Sequence, residues 1–200
     1  DTRRDLAVGI NLMRRDFGLP PLSLETVTAS IGDGVRTFVA RSLADAPAGV
    51  DLDDALRRNT RYYQAHMLDQ TALYPGVAEG LRALAGAGHR LALLSNRVES
   101  ACRALLRHFA LEPLFGRVVG GDSGLPLKPD PAAVHAIRQA AGAALADTWM
   151  IGDNHTDVLA AHRAGVHSLY VAYGFGAPGP EPPERTAAAF RDVTAGFLSR

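Results

Sequence analysis

Residues 150–157, with the sequence MIGDNHTD, are the stretch that decides the fold. An apolar run ends at Gly152 and delivers Asp153 directly, and Asp157 follows four residues later at the start of a predicted helix. A short apolar run that leads into a helix is typical of a strand buried on both faces of a parallel sheet. Because ligands bind beyond the carboxyl ends of such strands, both carboxylates are predicted to lie at a ligand-binding edge.

The same alternation of strand and helix extends to both sides of this stretch, from residue 74 to the end of the chain. Predicted strands cover residues 90–94, 117–119, 149–151 and 168–171, and predicted helices cover 77–87, 99–108, 131–141, 157–164 and 194–200. Residues 176–183, rich in proline and glycine, are predicted to form a loop. This pattern predicts an α/β fold with a doubly wound parallel sheet.

In the first third of the chain, apolar residues recur at helical spacing only. A first helix ends at residues 18–21, Ser23 can cap a second, residues 35–44 form a third, and Asp51 can cap a fourth that runs to about residue 69. We therefore predict two domains, an all-helical module over residues 1–73 and an α/β core over residues 74–200.

Composition excludes several classes of protein. The 200 residues carry 21 basic and 21 acidic side chains, so nothing in the charge balance indicates a nucleic acid or an anionic membrane as partner. No apolar run approaches the roughly 20 residues of a membrane span. The one cysteine, Cys102, permits no intrachain disulfide and fits a reducing compartment. We expect a cytoplasmic monomer or homodimer that binds a small metabolite.

Two further strand ends carry polar residues suited to a phosphate group. Ser95 and Asn96 follow one predicted strand, where a hydroxyl and backbone N–H groups can hold an anion, although a helix cap explains these two better when they are taken alone. Lys128 stands before Pro129 and Pro131, which stiffen its backbone, and a lysine is a point charge that suits a phosphate dianion. The alternative for Lys128 is an exposed loop lysine.

Asp153 and Asp157 are the predicted metal ligands. Hard carboxylate oxygens at a strand tip and in the next helical turn suit Mg²⁺, which usually takes one or two carboxylates together with phosphate oxygens and water. The alternative is a capping aspartate beside a solvated one.

The ordered set of these motifs resembles the haloacid dehalogenase superfamily of phosphatases. Residues 95–96 (SN), 128–129 (KP) and 152–157 (GDNHTD) resemble the family's second, third and fourth motifs, in the family's order. Residues 18–21 (GLPP), 31–36 (IGDGVR), 74–77 (YPGV) and 173–176 (YGFG) resemble its phosphoglycolate phosphatase branch. The resemblance implies a Rossmann-like core, with the helical module inserted as a cap.

It also implies a mechanism. In such enzymes an aspartate attacks phosphorus to form an aspartyl-phosphate, and a second aspartate serves as acid and base. Ser95 would hold a phosphate oxygen with the help of the Asn96 amide, and Lys128 would neutralise the phosphoryl group. Asp153 would bind Mg²⁺ directly, and Asp157 would act through water or orient its neighbours. The implied reaction converts 2-phosphoglycolate to glycolate and phosphate.

One part of the family pattern has no match. Asp1 and Thr2 resemble the tail of the first motif, so the nucleophile and the acid/base aspartate would lie before Asp1. The family's central strand, between those ending at Leu94 and Ile151, would then be absent from the chain. We expect a truncated sequence, which as given should not turn over phosphate esters.

The cap is expected to select the substrate. Arg36, after the flexible residues 32–34, is the candidate for the glycolate carboxylate, and a solvated helix arginine is an equal alternative. Other readings of the chain remain open: a superfamily phosphatase for a sugar phosphate, a nucleotide or pyrophosphate, a catalytically dead relative that binds phosphometabolites or a protein, and an unrelated α/β binding domain.

Overall fold

The computed structural model describes residues 1–198, and the chain divides into two compact units, Asp1–Ala72 and Leu73–Arg200. The first unit is all helical, with α1 at Arg3–Asp16, α2 at Leu24–Ala29, α3 at Val35–Arg41 and α4 at Leu52–His66. The predicted caps are confirmed: Ser23 accepts from the Thr26 N–H, and Asp51 accepts from the Asp53 N–H. Helices α3 and α4 end three residues before their predicted ends.

The interior of the helical unit contains a charged side chain that the periodicity did not reveal. Arg14 of α1 is fully buried and donates to the carbonyls of Pro20, at 2.8 Å, and Ser42, at 2.5 Å. Its guanidinium also forms a two-pronged pair with Asp45, at 2.7 and 2.8 Å. Arg14 therefore ties the two loops that follow α1 and α3 to the helix core.

The second unit alternates strands and helices, which confirms the predicted α/β class. Its elements are α5 Val77–Gly86, β1 Leu91–Leu94, α6 Glu99–His108, β2 Phe115–Val119, α7 Ala132–Ala140, β3 Trp149–Gly152, α8 His155–Ala164, β4 His167–Val171, β5 Arg185–Ala187 and α9 Phe190–Leu198. Strand β5 was not predicted, and the closing helix begins four residues before its predicted start, while residues 199 and 200 of that prediction lie outside the described part. Among residues 1–198, no helix is long and apolar enough to cross a bilayer.

All strand pairs of this unit are parallel, and they form two hydrogen-bonded groups in the described chain. Strand β1 pairs with β2, so that Leu94 lies beside Val119, and β3 pairs with β4, which in turn pairs with β5. No pairing joins β1 to β3 among the residues described.

Helices cover both faces of the strands. One core contains α5, α9 and β4 residues and is joined by Leu91 and Trp149, whereas the other contains α7 and α8 residues and is joined by Leu94 and Met150. Trp149 and Met150 are neighbours on β3 and point to opposite faces, as strand geometry requires. Strands β1 and β3 thus contribute to the same two cores, and their carboxyl ends lead to the site below.

Candidate functional site

A reciprocal pair of hydrogen bonds joins Asn96 to Lys128. The Asn96 Nδ2 donates to the Lys128 carbonyl at 2.9 Å, and the Lys128 N–H donates to Asn96 Oδ1 at 2.8 Å. Asn96 lies just beyond β1, and Lys128 lies in the segment between β2 and α7. Both ends of the carboxamide therefore contact the Lys128 backbone, and this side chain fixes the place of the lysine in the chain.

The ammonium group of Lys128 connects the end of β1 to the first turn of α8, the helix that follows β3. Its Nζ donates to the Leu94 carbonyl at 3.0 Å and to Asp157 Oδ1 at 2.6 Å. The side chains of Lys128 and Asp157 are 9% and 8% exposed, so this ion pair is nearly withdrawn from water. An ammonium group has three donors, and these contacts use two, which leaves one for an anionic oxygen. The alternative of an exposed loop lysine is wrong.

Asp157 is fixed from its other side by the start of α8. Its Oδ2 accepts from the Asn154 N–H at 3.0 Å, and Asn154 in turn caps the helix through the Thr156 N–H, at 3.2 Å. A Cβ at position 152 would lie 2.2 Å from Asp157 Cγ, so only glycine fits there. The glycine of the deciding stretch therefore makes room for the carboxylate that pairs with Lys128.

Asp153 is held by a loop that follows β4. Its Oδ2 accepts from the N–H groups of Phe175, at 2.9 Å, and Gly176, at 3.3 Å. A Cβ at position 174 would lie 2.2 Å from the Asp153 Cβ, so the loop backbone packs directly on this side chain. The sequence marked residues 173–176 only as part of a resemblance, and their role as donors comes from the structure.

Ser95 directly follows β1, at the same strand end as Asn96. Its N–H donates to the Val119 carbonyl at 3.0 Å and extends the β1–β2 pairing, while its Oγ accepts from the Arg97 N–H at 3.1 Å. The first residue outside α6 is Val98, so neither Ser95 nor Asn96 caps that helix, and the helix-cap alternative is wrong. Asp122 accepts from the Glu99 N–H at the helix start instead, at 2.7 Å.

Tyr173 adds a neutral aromatic wall beside Asp153. Burial raises the pKa of its phenol to about 12, and the negative charge of Asp153 and the neighbouring Tyr74 contribute. The two tyrosine rings meet edge to face with their centroids 5.1 Å apart. The phenol therefore stays protonated at neutral pH.

The carboxylates of Asp153 and Asp157 fit a magnesium ion whose remaining ligands are mostly water and substrate oxygens. Within residues 1–198, no three His, Cys, Asp or Glu side chains are grouped as a protein-only metal cage. Asp157 has both oxygens engaged, by Lys128 and by the Asn154 N–H, whereas the contacts that hold Asp153 use Oδ2. Asp153 Oδ1 is therefore the oxygen best placed as a direct ligand, and one or two carboxylates suffice for Mg²⁺.

Arg36, the predicted carboxylate contact, lies in the other unit. It stands in α3 and donates to Asp53 at 2.8 Å, and both side chains are 64% exposed. An exposed pair of this kind contributes about 0–1 kcal/mol, so Arg36 can exchange Asp53 for another carboxylate at little cost.

Comparison with known proteins agrees with the geometry. A family model for haloacid dehalogenase-like hydrolases matches residues 2–165. The phosphoglycolate phosphatase of Pseudomonas putida is 34% identical over 201 residues, which cover 98% of this chain and 73% of that protein. That of Nitrosospira multiformis is 38% identical over 179 residues, covering 88% and 79%. The crystal structure of a predicted phosphoglycolate phosphatase from Haemophilus somnus is 26% identical, covers 100% of this chain and 92% of that one, and superposes with a TM-score of 0.91. The chain belongs to the haloacid dehalogenase-like hydrolases.

Proposed function

We propose that this protein is a magnesium-dependent phosphomonoester hydrolase that acts through an aspartyl-phosphate and converts 2-phosphoglycolate to glycolate and phosphate. The observation that carries the proposal is the position of Lys128, whose ammonium group is fixed between the end of β1 and the first turn of α8 with one donor left for an anion. The names of the relatives from Pseudomonas putida and Nitrosospira multiformis support the choice of substrate.

Each residue at the strand ends has a part in this proposal. Ser95 donates its hydroxyl proton to a phosphate oxygen, and Lys128 neutralises charge on the phosphoryl group. Asp157 holds the lysine ammonium in place and would orient its neighbours at the metal site, and Asp153 would hold the metal through Oδ1. The ion would supply positive charge that offsets the charge of the phosphate. Phosphoryl transfer depends mainly on positioning and on charge neutralisation, which this arrangement provides.

No residue of the 200 matches the family's nucleophile or its acid/base aspartate, so the proposal assigns neither role within this sequence. We expect the 200 residues to lack turnover of phosphate esters by this route. The test is an assay of the purified chain with 2-phosphoglycolate and Mg²⁺, and phosphate release above that of a Lys128→Met control would contradict this part of the proposal.

Arg36 is proposed to contact the carboxylate of 2-phosphoglycolate. The side chain of its present partner, Asp53, is as exposed as that of Arg36, so replacing Asp53 by the substrate carboxylate costs little free energy. Arg36→Ala should raise the KM for 2-phosphoglycolate and leave that for an uncharged phosphate ester unchanged. Arg57→Ala, which removes a similarly exposed arginine from α4, is the matched control. An unchanged KM in the Arg36 variant removes the assignment.

The central experiment is a substrate panel on the protein expressed from its gene. We expect the highest kcat/KM with 2-phosphoglycolate, against a sugar phosphate, a nucleoside monophosphate and pyrophosphate. Activity should be lost in EDTA and restored by Mg²⁺. A preference for another ester would keep the reaction and change the substrate. A protein that hydrolyses none of them would refute the proposed function and favour a catalytically dead relative.

A further inference from the structure

The reciprocal bonds between Asn96 and the Lys128 backbone point to a role that goes beyond phosphate contact. We propose that Asn96 is a positioning residue, which acts on the reaction through Lys128 and not through the substrate. The inference rests on the proposed function for its catalytic consequence, but the geometry it concerns can be tested without any activity.

The position of a lysine charge depends strongly on contacts that fix the lysine backbone. Its charge lies at the end of a flexible four-carbon stem, so the place of the ammonium group depends on the place of the backbone. The ammonium end is fixed by Leu94 and Asp157, and the backbone end is fixed by Asn96. Lys128 is thus held at both ends, although it lies in the loop between β2 and α7 and not in a strand.

The carboxamide of Asn96 makes both backbone contacts at once because it carries a donor and an acceptor side by side. Asn96 donates from Nδ2 and accepts at Oδ1, as a partner strand would, whereas aspartate offers acceptors alone. Asn96→Asp keeps the size of the side chain but places a second oxygen against the Lys128 carbonyl. Asn96→Ala removes both bonds.

The sequence makes a direct test possible, because Lys128 is the only lysine among the 200 residues. Cleavage after arginine yields peptide 118–138, in which Lys128 carries the only amine side chain. The protein expressed from its gene is treated with acetic anhydride, and acetylation of this peptide is followed by mass spectrometry. We expect Asn96→Ala and Asn96→Asp to raise the rate at Lys128 by about tenfold, because the bonds that oppose local opening of the segment are gone.

The chain offers a matched control. Asn11 makes the same pair of bonds with the backbone of Leu22, at 3.0 and 2.9 Å, in the helical unit. Asn11→Ala should leave acetylation of Lys128 unchanged. Cys102, the only cysteine and a buried one, reports general loosening through its reaction with a thiol reagent. A rise at Cys102 equal to that at Lys128 would mean unfolding of the region and would overturn the proposal, as would an unchanged rate at Lys128.

Activity then separates positioning from substrate contact. Asn96→Ala should lower kcat/KM by about 10²-fold, the effect of a misplaced catalytic group. In a Lys128→Met background the same change should have less than about a twofold effect, since residues that act through one another are not additive. Full additivity would show that Asn96 acts independently of Lys128 and would overturn the inference. If the wild-type protein hydrolyses no phosphate ester, the proposed function fails, and acetylation alone decides the role of Asn96.

Discussion

Removing the charge of Lys128 should destabilise the α/β unit strongly as well as lower kcat/KM. In Lys128→Met the side chain keeps most of its length, so little cavity forms. The Asp157 carboxylate, 8% exposed, then keeps the Asn154 N–H but loses the ammonium at 2.6 Å. Removal of one partner from a buried ion pair costs about 3–5 kcal/mol, because the remaining charge is uncompensated.

This loss is a large part of the roughly 5–15 kcal/mol by which a domain is stable. In a urea titration with a slope of about 2 kcal/mol/M it shifts the midpoint by about 2 M. Trp149, the only tryptophan, is the reporter, since it lies in β3 with its ring stacked on His167 at 4.5 Å. Its fluorescence follows the α/β unit through unfolding.

Two companion variants make the measurement specific. Lys128→Met/Asp157→Asn removes both charges and should recover at least half of the loss. Arg107→Met, which removes an exposed arginine paired with Glu112 at 3.5 Å, should change stability by less than about 1 kcal/mol. A Lys128→Met protein within about 1 kcal/mol of wild type would refute the claim that this pair is buried and required.

Three other changes test separate parts of the structure. Arg14→Met should destabilise the helical unit by about 3 kcal/mol, because buried carbonyls lose their donors, as followed by circular dichroism in urea. Folding raises the pKa of the Tyr173 phenol to about 12, so the wild-type protein should lose stability as the pH rises from 10 towards 12. Tyr173→Phe removes this phenol and should make stability depend less on pH above pH 10, as followed by thermal melting. Gly152→Ala should lower kcat/KM by about 10²-fold, because its Cβ would displace Asp157.

Each of these has a control or a contrary outcome. Arg15, the exposed neighbour of Arg14, should tolerate the same change to methionine, and equal losses in both would contradict the role given to Arg14. An unchanged pH dependence in Tyr173→Phe would mean that the phenol titrates alike in the folded and unfolded chain. Gly86→Ala, with open space around its Cβ, should retain full activity, and Gly152→Ala should not.

The sequence predicted the elements of the second unit well, because short apolar runs and crossover helices have strong local patterns. It missed β5, whose three residues include two that are exposed, so the strand has no apolar run. It placed the polar residues at the strand ends but not their partners. Asn96 and Lys128 are 32 residues apart, and their contact depends on how the two loops meet after folding. The donors to Asp153 are backbone N–H groups, which no side-chain pattern can reveal.

The open edges of β1 and β3 affect the tendency of this chain to aggregate in concentrated solution. Each of these strands is hydrogen bonded along one side only within residues 1–198, and Ile151 in the second of them is 37% exposed. Unsatisfied amides and carbonyls in a row form a template on which another extended peptide can add. Concentrated solutions of the 200-residue chain should therefore aggregate through these strand edges. A short β-forming peptide that pairs with the edges should suppress this aggregation.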